Sequence, residues 1–187
     1  RIPWEWGGSE SGSPMYIELV KYPDVFLRSV SNPVPFPLDD KTSRLIRFMT
    51  KAMYQNHGIG LAAIQVGYQL RMFVMDCSRS GDNSKVFINP EIVEKSSETL
   101  RDSEGCLSAP GKTGDVSRHL RIILKYQDAS GKEERKTFYN LEARCIQHEM
   151  DHLEGKLCID YEKGNYSRDR HKSQTMVESD FRTKSDT

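Results

Sequence analysis

His148-Glu149-Met150-Asp151-His152 sets two imidazoles four residues apart with a carboxylate between them. On a helix, four residues make about 400° of rotation, so the two rings stand one turn apart on one face and can offer two nitrogens to one metal ion. Glu149 then lies beside the metal without binding it, where a carboxylate can take a proton from a polarised water and return it to a leaving group. With five His and 14 Glu in the chain, the pattern arises by chance in roughly one such sequence in a hundred, so it needs support from other residues.

A catalytic metal usually has three protein ligands and an open position for water. The third candidate is Cys106 in Glu104-Gly105-Cys106-Leu107-Ser108, beside a glycine that permits a sharp backbone path. A Cys/His/His set is soft and singly anionic, which suits zinc or ferrous iron. The competing reading of Cys106 is an inert buried thiol, and Cys77, Cys145 and Cys158 are assigned to that role. A third element, Gly58-Ile59-Gly60-Leu61-Ala62-Ala63-Ile64-Gln65, leaves its backbone little shielded, so that a peptide can pair with it as an added strand. Gln65 can then point an amide donor at an oxygen gaining negative charge.

The elements that must position these groups can also be read. Leu141, Cys145, His148 and His152 lie three or four apart, predicting a helix with Asn140 as its cap and Gly155 as its stop. Asp39 and Asp40 offer caps to an earlier helix whose buried face carries Leu45, Ile46, Phe48, Met49, Ala52 and Met53, and His57-Gly58 ends it with the glycine as left-handed cap. Strand-like runs are expected at 71–76, 85–89, 92–95, 120–127 and 136–139, separated by turn signals. The Pro-rich 32–38 segment reads as a surface loop. Two helices and several strands, not alternating, predict α+β.

Composition narrows the function further. Twenty-seven basic and 27 acidic residues leave no net charge, which argues against nucleic acid as a partner. No apolar run approaches the roughly 18 residues that span a bilayer, so no membrane role is expected. Four cysteines in a chain of 187 residues without a small-secreted-domain pattern favour a reducing compartment. Residues 1–14 read as a flexible extension, either an artificial leader or a trimmed presequence, 15–161 as one catalytic domain, and 162–187 as a polar, flexible tail.

Taken in this order, the three motifs closely resemble those of the peptide deformylase family, with the likeness running from Tyr16 to Tyr161 through Lys21-Tyr22-Pro23-Asp24, Ile88-Asn89-Pro90 and Gln147 to Gly155. The resemblance implies an α+β fold with antiparallel sheets wrapped around a central metal-binding helix, and removal of the N-formyl group from N-formylmethionine on nascent peptides. It implies Cys106, His148 and His152 as metal ligands and Glu149 as general base then acid. Gln65 and the Leu107 N–H would stabilise the oxyanion. Substrate contacts are expected at Gly58, Ile59 and Gly60, and at Leu141 and Cys145 near a methionine pocket. Glu104 is expected to orient its neighbourhood through hydrogen bonds. Ferrous iron is the implied native metal, replaceable by zinc, nickel or cobalt.

The sequence departs from the family at Thr113, where several members carry a substrate-binding arginine, and after Glu162, where the pattern of a C-terminal helix is missing. Nascent N-formyl-Met peptides are the expected partner, with transient contact to the ribosome as a further one, although docking through such a helix has no support in this sequence. The first-choice location is the cytoplasm, as for bacterial members, with a mitochondrion or plastid second. The competing functions are a zinc peptidase built on the same two-histidine helix, and a non-catalytic metal-containing peptide-binding protein.

Overall fold

The computed structural model describes residues 17–161 and the backbone of Gln174–Thr175. The expectations for residues 1–14, for a domain start at Met15 and for the remainder of the tail lie outside the described residues.

Helix α1 spans Asp40–Gln55, and the Asp39 carboxylate caps it by accepting from the Thr42 N–H at 2.7 Å. Its buried stripe is Leu45, Phe48, Met49, Ala52 and Met53, as the periodicity predicts, whereas Ile46, expected with them, is only partly buried at the edge of the same cluster. The end differs from expectation. His57, not Gly58, takes the left-handed conformation, with φ of 56°. Gly58 instead leaves room for Leu107, whose Cδ1 would lie 2.8 Å from a Cβ at that position.

Strands β1 (Gly60–Ala62), β2 (Met72–Met75), β3 (Lys85–Lys95), β6 (Arg121–Gln127) and β7 (Glu133–Tyr139) form an antiparallel sheet in the order β1-β2-β3-β6-β7. Strands β4 (Thr99–Gly105) and β5 (Thr113–His119) pair antiparallel, and the two-residue β8 (Gln174–Thr175) runs parallel to β4. Helix α2 spans Asn140–Leu153. The α+β class read from the sequence is the class observed.

Why β2 reads as an unbroken apolar run is visible in its two faces. Phe73 and Met75 pack with Ala143, Cys145 and Ile146 of α2, whereas Met72 and Val74 pack with Met49 and Met53 of α1. A strand buried on both faces has no polar side to alternate with. Phe73, Phe87, Tyr126 and Phe138 fill the α2 side, with neighbouring ring centroids 4.7 to 5.8 Å apart. Helix α2 thus packs against β1, β2, β5, β6 and β7.

Both the strand expectations and the cap of α2 need correction. The runs at 85–89 and 92–95 are one strand, β3, which passes through Pro90 because its register against β6 slips between Ile88 and Glu91 and again between Ile92 and Glu94. A bulge tolerates a residue without an N–H. Strands β4 and β5 were not anticipated, since Thr99–Gly105 and Thr113–His119 are polar and what they bury includes two charged side chains, Glu104 and Arg118. Asn140 lies at the first position of α2 with φ of 51° and makes no side-chain cap; the preceding Tyr139 occupies the cap position. Gly155 does stop α2 in the left-handed region, at φ of 73°. Among the described residues no helix is long and apolar enough to cross a membrane.

Candidate metal centre

Helix α2 carries His148 and His152 one turn apart, and the turn after β4 carries Cys106. Their ligand atoms converge: Cys106 Sγ lies 3.4 Å from His152 Nε2, which lies 3.3 Å from His148 Nε2. Ligands of a tetrahedral ion, with metal–nitrogen near 2.05 Å and metal–sulfur near 2.3 Å, would be about 3.3 Å (N to N) and about 3.6 Å (S to N) apart. The donor set therefore fits a single divalent ion in both chemistry and spacing. All three residues are buried, and among the described residues no fourth Cys, His or carboxylate joins the group. Three protein donors are the number typical of a catalytic site, where a structural site usually has four. Burial and the adjacent charge of His148 hold His152 well below the usual histidine range, whereas Cys106 and Glu104 outweigh burial and hold His148 well above it, so without metal the pair's proton rests on His148 and must leave before that ring ligates.

Gln65 sits on the 3-10 turn Ala63–Val66 that follows β1. Its Oε1 accepts from the Ala62 N–H at 2.9 Å, and its Nε2 donates to Ser108 Oγ at 3.1 Å and Cys106 Sγ at 3.5 Å. The amide is thereby fixed with its donor end toward the ligand cluster. Glycine at position 60 lets β1 run close to α2: a Cβ there would lie 2.6 Å from Glu149 Oε1 and 2.9 Å from Cys145 Sγ. Gly58, Ile59, Gly60, Leu107, Cys145 and Glu149 therefore share one neighbourhood, with the Cys145 thiol 3.8 Å from the Ile59 carbonyl. Because β1 is the first strand of its sheet, one of its edges is not paired within that sheet.

Leu141 lies farther along α2, where it lines a cavity of about 360 Å³ with Met75, Cys77, Ser78, Tyr139 and Glu142. Cys145, one turn nearer the ligands, is fully buried beneath Gly60. Its thiol is raised well above the usual range by contact with Cys77 and by burial, so it stays protonated. All four cysteines are free thiols.

The two buried glutamates differ. Glu149 is 2% exposed, its Oε2 has no partner, and burial pushes its carboxyl up to about 7. Glu104 is fully buried, and burial by itself would raise it too. Hydrogen bonds from His148 and Arg118 outweigh that and hold it well below the carboxylate range. Its Oε1 accepts from His148 Nδ1 and Arg118 Nη2, both at 2.9 Å, and its Oε2 from Arg118 Nε at 3.0 Å and Arg144 Nη1 at 2.5 Å. The Nδ1 proton of His148 is thus committed to Glu104, which leaves Nε2 as the ligating atom.

Around Glu104 stand residues that sequence reasoning missed. Arg118 also reaches Asp151 at 2.8 Å and lies over the Tyr161 ring, and the Tyr161 hydroxyl donates to Asp151 at 2.6 Å. Gln147 clamps the backbone of His119 from both sides, at 2.9 and 2.8 Å. A signal was available for Arg144, since a charged residue one turn before His148 falls in the same helical stripe.

The profile of the polypeptide deformylase family matches residues 16–167. The chain belongs to this family. Its relatives include the peptide deformylase of Hyphomonas neptunium, 45% identical over 146 residues that cover 77% of this chain and 83% of that protein. Peptide deformylase 1 of Pseudomonas syringae pv. tomato is 42% identical over 158 residues, 84% of this chain and 93% of that one. Among solved structures, the peptide deformylase of Plasmodium falciparum superposes with a TM-score of 0.74 at 39% identity, covering 79% of this chain and 87% of the other. That of Thermotoga maritima gives 0.74 at 38% identity, covering 80% and 99%. The matched segment of this deformylase-family chain contains every ligand, glutamate and arginine described above.

Proposed function

We propose that this protein is a metal-dependent peptide deformylase, hydrolysing the N-formyl group of N-formylmethionine at the start of newly made peptides and releasing formate. The observation that carries the reading is the convergence of Cys106 Sγ and the Nε2 atoms of His148 and His152 beside a donor-oriented Gln65 and a proton-ready Glu149. A divalent ion held by Cys106, His148 and His152 supplies Lewis acidity to the formyl carbonyl and to water. Ferrous iron, the metal that the family resemblance implies, fits this donor set, as do zinc, nickel and cobalt.

The chain's own residues do the rest. Glu149 takes a proton from the attacking water and passes it to the departing amine as the formyl C–N bond breaks. Gln65 Nε2 and the Leu107 N–H stabilise the oxygen that gains charge at the carbon under attack. The substrate backbone lies along Gly58, Ile59 and Gly60 as an added strand. Its methionine side chain lies beside α2 between Leu141 and Cys145. Glu104 holds the His148 ring. We assign this catalysis to a single unit, residues 15–161, with α2 at its centre and the sheets around it, acting in the cytoplasm.

Formate release from a formyl-Met peptide tests the proposal. Release should be abolished by removing metal with a chelator and restored by ferrous iron under nitrogen. Cleavage of internal peptide bonds without formate would support the zinc peptidase instead, and metal binding with neither activity would support the non-catalytic reading.

A further inference from the structure

We propose that Arg144 is a positioning residue for the metal ligand His148, acting through Glu104. The inference rests on reading Cys106, His148 and His152 as the ligand set.

Arg144, His148 and His152 follow one another at four-residue spacing along α2, so guanidinium and imidazoles stand in one stripe. The guanidinium does not turn to solvent. It is 5% exposed, and it donates to Glu104 Oε2 at 2.5 Å, to the Val116 carbonyl at 3.1 Å and to the Leu100 carbonyl at 2.6 Å. Glu104 lies on β4, and its other oxygen holds His148. One carboxylate therefore bridges two residues of the same helix, one turn apart, from a neighbouring strand.

A carboxylate offers about four acceptor positions, and on Glu104 four donors take them. Arg118 comes from β5, binds side-on, fixes the plane of the carboxylate and ties it to α2 at Asp151, on the far side of His148. Arg144 makes the second tie, one turn before His148, since its stem starts on α2 and its head spans both β4 and β5. Charge points the same way. Glu104 and Asp151 balance Arg118 and Arg144, so that loss of Arg144 leaves the cluster with one anion in excess against His148. With the tie on the Arg144 side gone, the carboxylate can shift within its own plane, and the imidazole with it.

A role in stability alone predicts something different: a lower melting temperature with an unchanged metal centre. The test compares wild type with Arg144→Met and Arg144→Lys, each loaded with Co(II) without oxygen. Three quantities are read: the visible d–d bands, the rate of cobalt loss to excess chelator, and kcat against KM for a formyl-Met peptide. In Arg144→Met the bands should shift, cobalt should leave about 10–100-fold faster, and kcat should fall with KM little changed. Arg144→Lys should recover part of each, because one ammonium cannot reach the carboxylate and both carbonyls together. In a Glu104→Gln background, Arg144→Met should add little, since both changes break the same link. Wild-type bands and cobalt-loss rate in Arg144→Met, even with a lowered melting temperature, would overturn the inference. If Arg144→Met does not fold, the same readouts on Arg144→Lys decide, with wild-type behaviour counting against it. A wild-type protein that shows no thiolate-to-cobalt band would overturn the ligand assignment itself, a separate failure that takes this inference with it.

Discussion

Two carboxylates buried within one turn of the same imidazole have opposite surroundings, and the contrast divides the centre into a fixed half and a working half. On the Glu104 side every acceptor position is filled, two arginines and a histidine supply the donors, and the carboxyl is held far below its ordinary range. On the Glu149 side an oxygen has no partner, glycines bring β1 close, and the carboxyl is pushed up to about 7. The same functional group is an anion in one place and, in the other, a carboxyl that can gain or lose its proton near neutral pH, as the proposed proton carrier must, because its pKa is set by what surrounds it.

The contrast breaks most visibly at Glu149. Glu149→Gln should lower kcat for formate release by about 10²–10⁴ while metal content, measured by atomic absorption, stays at one ion per chain. Equal turnover in that variant would remove Glu149 as the proton carrier.

Next comes a pH effect in the metal-free protein. The Glu149 carboxyl rises from 4.5 to about 7 on folding, so the folded state binds the extra proton and stability falls as pH climbs through that window. Glu149→Gln lacks this penalty. Urea unfolding should find its advantage over wild type absent below pH 4.5 and complete above pH 7, at a ceiling of roughly 3 kcal/mol.

At Glu104 the expected change is in metal retention. Glu104→Gln keeps the shape but loses the anion, and should weaken metal binding about 10–100-fold in a chelator competition. A smaller loss than for Cys106→Ala, which removes a ligand outright, would separate holding the ring from holding the ion.

The exposed pair Arg28–Asp160, at 2.6 Å, sets the lower bound for comparison. Burial would raise the Asp160 carboxyl, but hydrogen bonds from Arg28 and the Leu157 N–H bring it below its usual value, so its contribution holds at neutral pH and fades as pH falls through the acid range. With both side chains more than a third exposed, Asp160→Asn should cost under about 1 kcal/mol in thermal unfolding.

The working half was far more legible in the sequence than the fixed half. Two histidines at helical spacing, a cysteine beside a glycine and a Gly-x-Gly segment leading to Gln65 can be read together from residue type and interval. Residue type and interval do not single out Arg118, Arg144 and Asp151; only the pairing of β4 with β5 under α2 buries the two arginines and sets the half-buried Asp151 against Arg118. Strands β4 and β5 themselves escaped notice for the same reason: alternation was read in apolar residues, whereas their inward faces carry Glu104 and Arg118. Helix α1 was clear throughout because its stripe is wholly apolar, but its end was not, because Gly58 serves the packing of Leu107 and left the reversal to His57.

The bond between Glu104 and His148 joins residues 44 positions apart in the chain. During synthesis Cys106 and its strand are made well before α2, so the thiol must wait, reduced and without its partners, until the last-made ligand helix arrives. With Cys106, His148 and His152 as the proposed ligands, metal loading would for that reason come late in biogenesis, coupled to closure of the tertiary structure and sensitive to any oxidant met in the interval.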